Sequence, residues 1–259
     1  MAGSAGTSRA PGRERLDLLP RLGIRPSTGE VVSRLLDAAL TDAAARANAE
    51  GRRTAVLDAG CGRVSVLRPF RSRIGEIVGV DIHGQPPGSV GHLDRFVEAD
   101  LCTDAEAFAP DAFDLVLLSF TVEHLADPER AFANLATWTR PGGTLVATTV
   151  NRRHPFVAAY LDLPPDLRAR LQSVVKERRE DAHPLVGACN TRPALAAALR
   201  GAGWTDVRVS SVGHLARAWA RTWPTFALGV AGDVVTRGMP SRRSTLIAAA
   251  RRPSEPGAR

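Results

Sequence analysis

Apolar positions recur along this chain in two rhythms. Val31, Val32, Leu35, Leu36, Ala39 and Leu40 keep the three-and-four spacing of one helix face, and the preceding S-T-G-E, Ser27 to Glu30, is a capping box. Short unbroken apolar runs then take over: TAVLDAG at 54–60, EIVGVDI at 76–82, RFVEADL at 95–101, FDLVLLSF at 113–120 and GTLVATTV at 143–150. The first two have the length and β-rich content of buried strands, RFVEADL is a third strand closing on an acid, and FDLVLLSF, the most apolar, is expected at the centre of the sheet. Between them the pattern predicts a short helix through Leu67 and Phe70, curtailed by Pro69. A second helix is predicted over 127–139, with Asp127 as N-cap and Pro128 at its first position, ended by an RPGG turn that launches the fifth strand.

Strands alternating with helices imply an α/β fold, a doubly wound and mainly parallel sheet. Beyond residue 150 the rhythm breaks into a charged insertion, 151–189, then a helix at 190–202 and a strand at 204–212. A second insertion, 213–242, precedes a last strand at 244–252. Insertions after the fifth and sixth strands sit where the carboxyl ends of the strands open, so they are expected to cap the ligand crevice. The expected organisation is a flexible arm at 1–26, one domain at 27–252 and a frayed tail at 253–259.

Composition narrows the class. A formal charge of +7 would suggest nucleic acid, yet Lys176 is the sole lysine, and arginine is spread along the chain with alanine, glycine and proline. No basic stripe interleaved with aromatics appears, so no nucleic-acid partner is expected. Cys61, Cys102 and Cys189 are odd in number, far apart and without C-x-x-C spacing, which fits a reducing, cytoplasmic setting. The first residues lack the apolar core of a signal peptide, and no apolar run reaches the roughly 18 residues of a membrane span, so no membrane partner is expected.

The chemistry centres on VLDAGCG. Gly60 and Gly62 mark a sharp strand-to-helix turn where a ligand approaches the backbone, with amides expected to aim into the crevice. A dinucleotide fingerprint would place a third glycine at position 65, where this chain has Ser65, and this counts against a nicotinamide oxidoreductase. Asp81 ends the second strand 19 residues after Gly62, the distance at which a carboxylate reaches a ribose diol. Asp100 ends the third strand, placed for an exocyclic amine, and Asp58 lies under the turn, where negative charge suits an ammonium. Three acids about the turn favour a cationic adenosyl ligand over a pyrophosphate.

These pieces, with VGVDI, EADL, FDLVLLSFTVEHLADPERAF and RPGGTLVATTV in order over 54–150, make the chain resemble a class I S-adenosylmethionine-dependent methyltransferase of small-molecule type. GAGWTDVRV and the final strand extend the match to about residue 252. The resemblance implies a Rossmann-like seven-stranded mixed sheet with the last strand antiparallel, and S-adenosylmethionine as cofactor. It assigns Asp58, Ala59, Gly60, Cys61 and Gly62 to the methionine side, Asp81 and Ile82 to the ribose side, Asp100 and Leu101 to the adenine edge, and Ser119 and Phe120 to the methyl-transfer side. Val64 departs from the family's third loop glycine.

The expected partner is a small-molecule methyl acceptor bound beneath the insertions; a non-catalytic cofactor-binding regulator and a nucleic-acid methyltransferase are the alternatives. His154 in NRRHP is the candidate base, Tyr160 a second, and a loop histidine satisfied by backbone is the competing reading of His154. Ubiquinone-pathway O-methyltransferases carry a metal-binding E-x-x-E-H related to Glu123 and His124. Phe120 stands at its first acid position here, so no metal is expected and His124 is assigned to the pocket wall or to capping. Arg152, Arg153 and Arg192 are either surface or a clamp for an acid group of the acceptor. Trp219, Trp223 and Phe226 are either core or an apolar wall.

Overall fold

The computed structural model describes residues 13–24, 26–62, 65–84, 91–164, 166–168, 170 and 186–254. A single-turn helix, α1 (Arg13–Leu16), precedes α2 (Thr28–Ala49). The S-T-G-E motif closes as expected: Ser27 Oγ accepts from the Glu30 amide at 3.1 Å while Glu30 Oε2 accepts from the Ser27 amide at 2.8 Å.

The five apolar runs form β1 (Ala55–Ala59), β2 (Glu76–Asp81), β3 (Arg95–Glu98), β4 (Phe113–Ser119) and β5 (Thr139–Val150). With β6 (Thr205–Val212) and β7 (Thr245–Arg251) they make one seven-stranded sheet in the order β3-β2-β1-β4-β5-β7-β6. β7 runs antiparallel to β5 and β6, and the other pairings are parallel. FDLVLLSF is the middle strand. Successive strand residues face opposite ways, so Leu57, Val116, Leu118 and Leu145 meet one helix layer while Val56, Leu115, Leu117 and Val146 meet the other. The first layer is α3 (Pro128–Trp138) and α5 (Arg192–Gly201), through Phe132, Leu135, Leu195 and Leu199; the second is α2, through Val32, Leu36 and Leu40. α4 (Pro155–Leu161) lies between β5 and α5 in the chain.

Two expectations are corrected. RPGG is not a turn outside the sheet: β5 begins at Thr139, opposite Phe113, and its next recorded pair is Thr144 with Leu115, so residues 140–143 bulge within the strand. Gly142 takes φ +73°, and a Cβ on Gly143 would lie 2.5 Å from Thr139 Cγ2 and 2.8 Å from the Arg140 carbonyl, so the bulge needs its glycines. Residues 13–24, expected within a flexible arm, are packed. Leu19 is fully buried and, with Ile24, meets Ala216, Ala220 and Phe226 of the second insertion. Arg15 ties the segment down by donating to the carbonyls of Ala220 at 2.6 Å and Arg221 at 2.7 Å. The expectations for residues 1–12, for most of the charged run 166–181 and for 255–259 fall outside the described residues.

The insertions meet above the carboxyl edge of the sheet. The second holds α6 (Leu215–Ala218) and α7 (Trp223–Val235). Phe156 of α4 stacks on Trp219 with centroids 6.3 Å apart, and Asp233 of α7 accepts from the amides of Leu215 at 3.3 Å and Ala216 at 3.0 Å. At the opposite edge, Asp114 is 1% exposed and takes both Arg52 guanidinium nitrogens at 2.7 Å, the Ala55 amide at 2.9 Å and Arg140 at 3.3 Å.

Candidate active site

Strand register gathers the predicted ligands on one edge. Ala59 pairs with Val80 on one side and Leu118 on the other, so Gly60, Asp81 and Ser119, each one residue on, emerge side by side. Asp81 pairs with Glu98, two residues before Asp100. The two turn glycines have different reasons to be glycine. Gly60 takes φ +71°, and a Cβ there would lie 2.3 Å from Thr121 Cγ2; Gly62, at φ +48°, would point its Cβ into open space. Gly60 is required by protein packing, whereas Gly62 keeps the crevice side open.

The expectation that these amides point free into the crevice is corrected. Gly60 and Cys61 both donate to the Val80 carbonyl, at 2.7 and 3.2 Å, and Gly62 donates to Asp81 Oδ2 at 3.0 Å. The described part of the turn therefore offers no amide to a phosphate. It offers carboxylates instead. Asp81 is half-buried, accepts one further amide from His83 at 3.1 Å on its other oxygen, and keeps a lone pair on each. Asp100 uses Oδ1 on the Cys102 amide at 2.7 Å. Leu101 is buried with its carbonyl on Asn134 Nδ2 at 2.9 Å, and the neighbouring Ile82 is 56% exposed, an open apolar surface beside Asp81.

Asp58 lies beneath the turn, 1% exposed, with Oδ2 buried and without a hydrogen-bond partner. Burial pushes its carboxyl up to about 6, with the Ser65 hydroxyl working against this and the Asp81 charge adding to it. The residue standing where a dinucleotide fold has its third glycine thus serves the acid under the loop. Cys61 packs over Gly79, and burial with the Asp58 and Asp81 charges pushes its thiol up to about 12, which leaves it a packing residue and no nucleophile.

Beyond Ser119, Phe120 adopts φ +57°, a backbone L side chains seldom take, held by its amide on the Thr148 carbonyl and hydroxyl, both at 3.1 Å. Its ring stacks on His214 at 5.4 Å. His214, at the end of β6, was not singled out in the sequence, although its place after a strand is the signal that marks Asp81 and Asp100. Its Nδ1 is buried without a partner, and burial together with Arg217 pushes the imidazole down to about 4, so the ring is neutral at physiological pH. Thr121 was also missed; its hydroxyl donates to the Ala59 carbonyl at 3.1 Å and locks the β4 end onto the glycine turn.

His154 is corrected as a base. It is fully buried, caps α4 by accepting the Phe156 amide on Nδ1 at 3.2 Å, and sets Nε2 3.4 Å from the Gly232 carbonyl of α7. Both ring nitrogens are occupied, and burial lowers the imidazole's proton affinity. Tyr160 lies on the same helix, half-buried. Glu123 is 3% exposed and accepts the Thr149 hydroxyl at 2.7 Å, with Asn190 Nδ2 on that hydroxyl at 2.7 Å, so it joins β5 to the return of the first insertion. His124 is half-buried at the end of a short 3-10 turn. Among the described residues no group of three or more His, Cys, Asp or Glu side chains is placed to hold a metal.

The arginines and the aromatic stripe divide. Arg152 pairs with Asp162 at 2.8 Å and Arg192 donates to the Val209 carbonyl at 3.1 Å, both structural; Arg153 lines a cavity of about 370 Å³ with Pro155, Ser241 and Arg242, which none of the predicted cofactor residues lines. Phe226 is core, Trp219 joins the two insertions, and Trp223 is 51% exposed.

A family model described as a methyltransferase domain matches residues 29–209. The ubiquinone biosynthesis O-methyltransferases of Stutzerimonas stutzeri and Hahella chejuensis are each 34% identical to the chain, over 105 and 116 residues. Those segments are 38% and 41% of this chain and 44% and 47% of the relatives, so the chain spans under half the length of these curated relatives. Among solved structures, the cyclase SpnF superposes with a TM-score of 0.50 at 17% identity, covering 96% of this chain and 100% of that one. An S-adenosylmethionine-dependent methyltransferase from Archaeoglobus fulgidus gives 0.50 at 16%, covering 93% and 100%. At such identities the likeness is one of fold.

Proposed function

The chain belongs to the methyltransferase-domain family, and from that premise we propose that it transfers the methyl group of S-adenosylmethionine to an oxygen, nitrogen or carbon nucleophile of a small molecule. One observation carries this reading: the turn spends its described amides internally, while Asp81 stands half-buried beside it and Asp58 Oδ2 lies beneath it without a hydrogen-bond partner. That combination repels a diphosphate and attracts a cation. Asp81 would accept the ribose hydroxyls, Ile82 would cover an adenine face, Asp100 and Leu101 would border its edge, and Asp58 would supply the negative charge beneath an α-ammonium. Open space at Gly62 leaves room for the approach.

When bound, the sulfonium supplies an activated methyl group for in-line displacement, and what falls to the protein is alignment and exclusion of water. Phe120, fixed by Thr148 and covered by His214, would wall the transfer position. With His154 buried in the cap, the group next to that wall able to hydrogen-bond an acceptor hydroxyl or amine is the neutral His214 imidazole. A proton affinity this low suits orienting an acceptor better than removing its proton.

The test is incubation with S-adenosylmethionine and a panel of phenols, carboxylates and amines, scored by release of S-adenosylhomocysteine. Acceptor-dependent release supports the proposal. Tight cofactor binding with no acceptor raising release would point to a regulator or partner subunit instead.

A further inference from the structure

Six of the large apolar side chains exposed on the described surface, Trp223, Leu228, Val234, Val235, Met239 and Leu22, gather at α7 and its immediate neighbours. Advancing about 100° per residue, the outward positions of α7 fall within an arc of about 140°. Trp223, Ala227, Leu228, Ala231, Val234 and Val235 lie on that arc, and no polar residue of the helix does. The one charged residue of α7, Asp233, is turned inward to hold the amides of Leu215 and Ala216. The inner side is equally apolar, with Phe226 in the cap core. A helix apolar all round is ordinarily covered on all sides, and the outer arc of this one is exposed.

Its surroundings say what covers it. From 213 to 243 the chain carries five arginines, Arg217, Arg221, Arg237, Arg242 and Arg243, against the single inward Asp233. Arginine also marks both ends of the stripe: the Arg15 guanidinium lies over the Trp223 ring at 5.4 Å, and Arg237 donates to the carbonyl of Leu22. Glu14 and Asp17, on or beside α1, are acids of the segment that carries Arg15. An apolar stripe with an aromatic end, arginine at both ends and a basic flanking sequence matches an anionic bilayer, where the stripe enters the acyl boundary and guanidinium groups meet phosphates. A second copy of this face would set arginine against arginine.

We propose that α7 docks the protein flat on an anionic membrane surface. This is attachment and no span: no helix among the described residues is long and apolar enough to cross a membrane. The expectation of no membrane partner rested on the lack of a long apolar run, which does not bear on a helix lying in the surface plane. The inference is independent of the reaction proposed above.

Vesicle flotation of the full chain tests it, with phosphatidylcholine vesicles compared to mixed phosphatidylcholine and phosphatidylglycerol vesicles. The expected result is flotation with the anionic vesicles only, weakened by high salt. Leu228→Glu with Val235→Glu should lower partitioning at least about tenfold while circular dichroism and cofactor calorimetry stay unchanged; Ala231→Glu is a milder probe of the same arc. No flotation of the wild-type chain, equal binding to neutral vesicles, or binding indifferent to all three substitutions overturns the proposal. So does a dimer in sedimentation velocity that the same substitutions dissolve, since the face would then belong to a second copy.

Discussion

Gly60 and Gly62 are separated at the scale of single residues by what a methyl group would touch. Gly60→Ala drives a Cβ into Thr121 at a φ of +71°, so a loss of about 1–3 kcal/mol is expected, read by urea unfolding, together with cofactor binding. Gly62→Ala meets no atom within 4 Å and should cost no more than about 1 kcal/mol of stability. Its effect should show in cofactor affinity alone. Asp58 gives a pH signature. Its carboxyl is raised from the ordinary 3.8 to about 6, so its contribution to stability is complete below the unfolded value and is lost as pH rises through the folded one. Wild type should therefore lose up to about 3 kcal/mol relative to Asp58→Asn between pH 4 and 6. The Asn variant should therefore gain on wild type as pH rises to neutral, and be the poorer cofactor binder. Arrival of a cation should also expel a proton from Asp58 near pH 6, visible as buffer-dependent heats of binding.

Secondary-structure elements were legible in the sequence wherever burial is uniform. β1 and most of β4 are buried on both faces, and both appear in the sequence as short unbroken apolar runs. Features set by partners distant in sequence were not legible. The bulge at 140–143 exists only in the pairing of β5 with β4, so R-P-G-G reads locally as a turn. His154 looks in sequence like a strand-end base, and its burial depends on Gly232, 78 positions away. As an N-cap it should behave accordingly: His154→Asn, which keeps a capping oxygen, should be milder than His154→Ala, expected to cost about 1–2 kcal/mol. The pH profile of turnover should keep its shape in both. His214 escaped notice because nothing near it in the chain announces the Phe120 ring that it meets.

Across the whole molecule, the sheet separates two edges with opposite uses. At the amino edge, Asp114 is shut in with Arg52, Arg140 and the Ala55 amide, an arrangement that fixes β1 against β4. Asp114→Ala removes the shared acceptor of Arg52, Arg140 and the Ala55 amide while Arg52, itself partly exposed, keeps Glu50, so a loss of about 1–3 kcal/mol is expected in denaturant unfolding. At the carboxyl edge lie the acids and the cap, with residues 13–24 tucked under α7; five scattered apolar residues among arginine, proline and acid gave the sequence little sign of that packing. The proposed activity requires a crevice shaped for an adenosyl cation. Calorimetry on the full chain measures this most directly: S-adenosylmethionine should bind, Asp81→Ala should weaken it at least about tenfold, and NAD should give no heat. Saturable binding of NAD with none of S-adenosylmethionine or S-adenosylhomocysteine would contradict it.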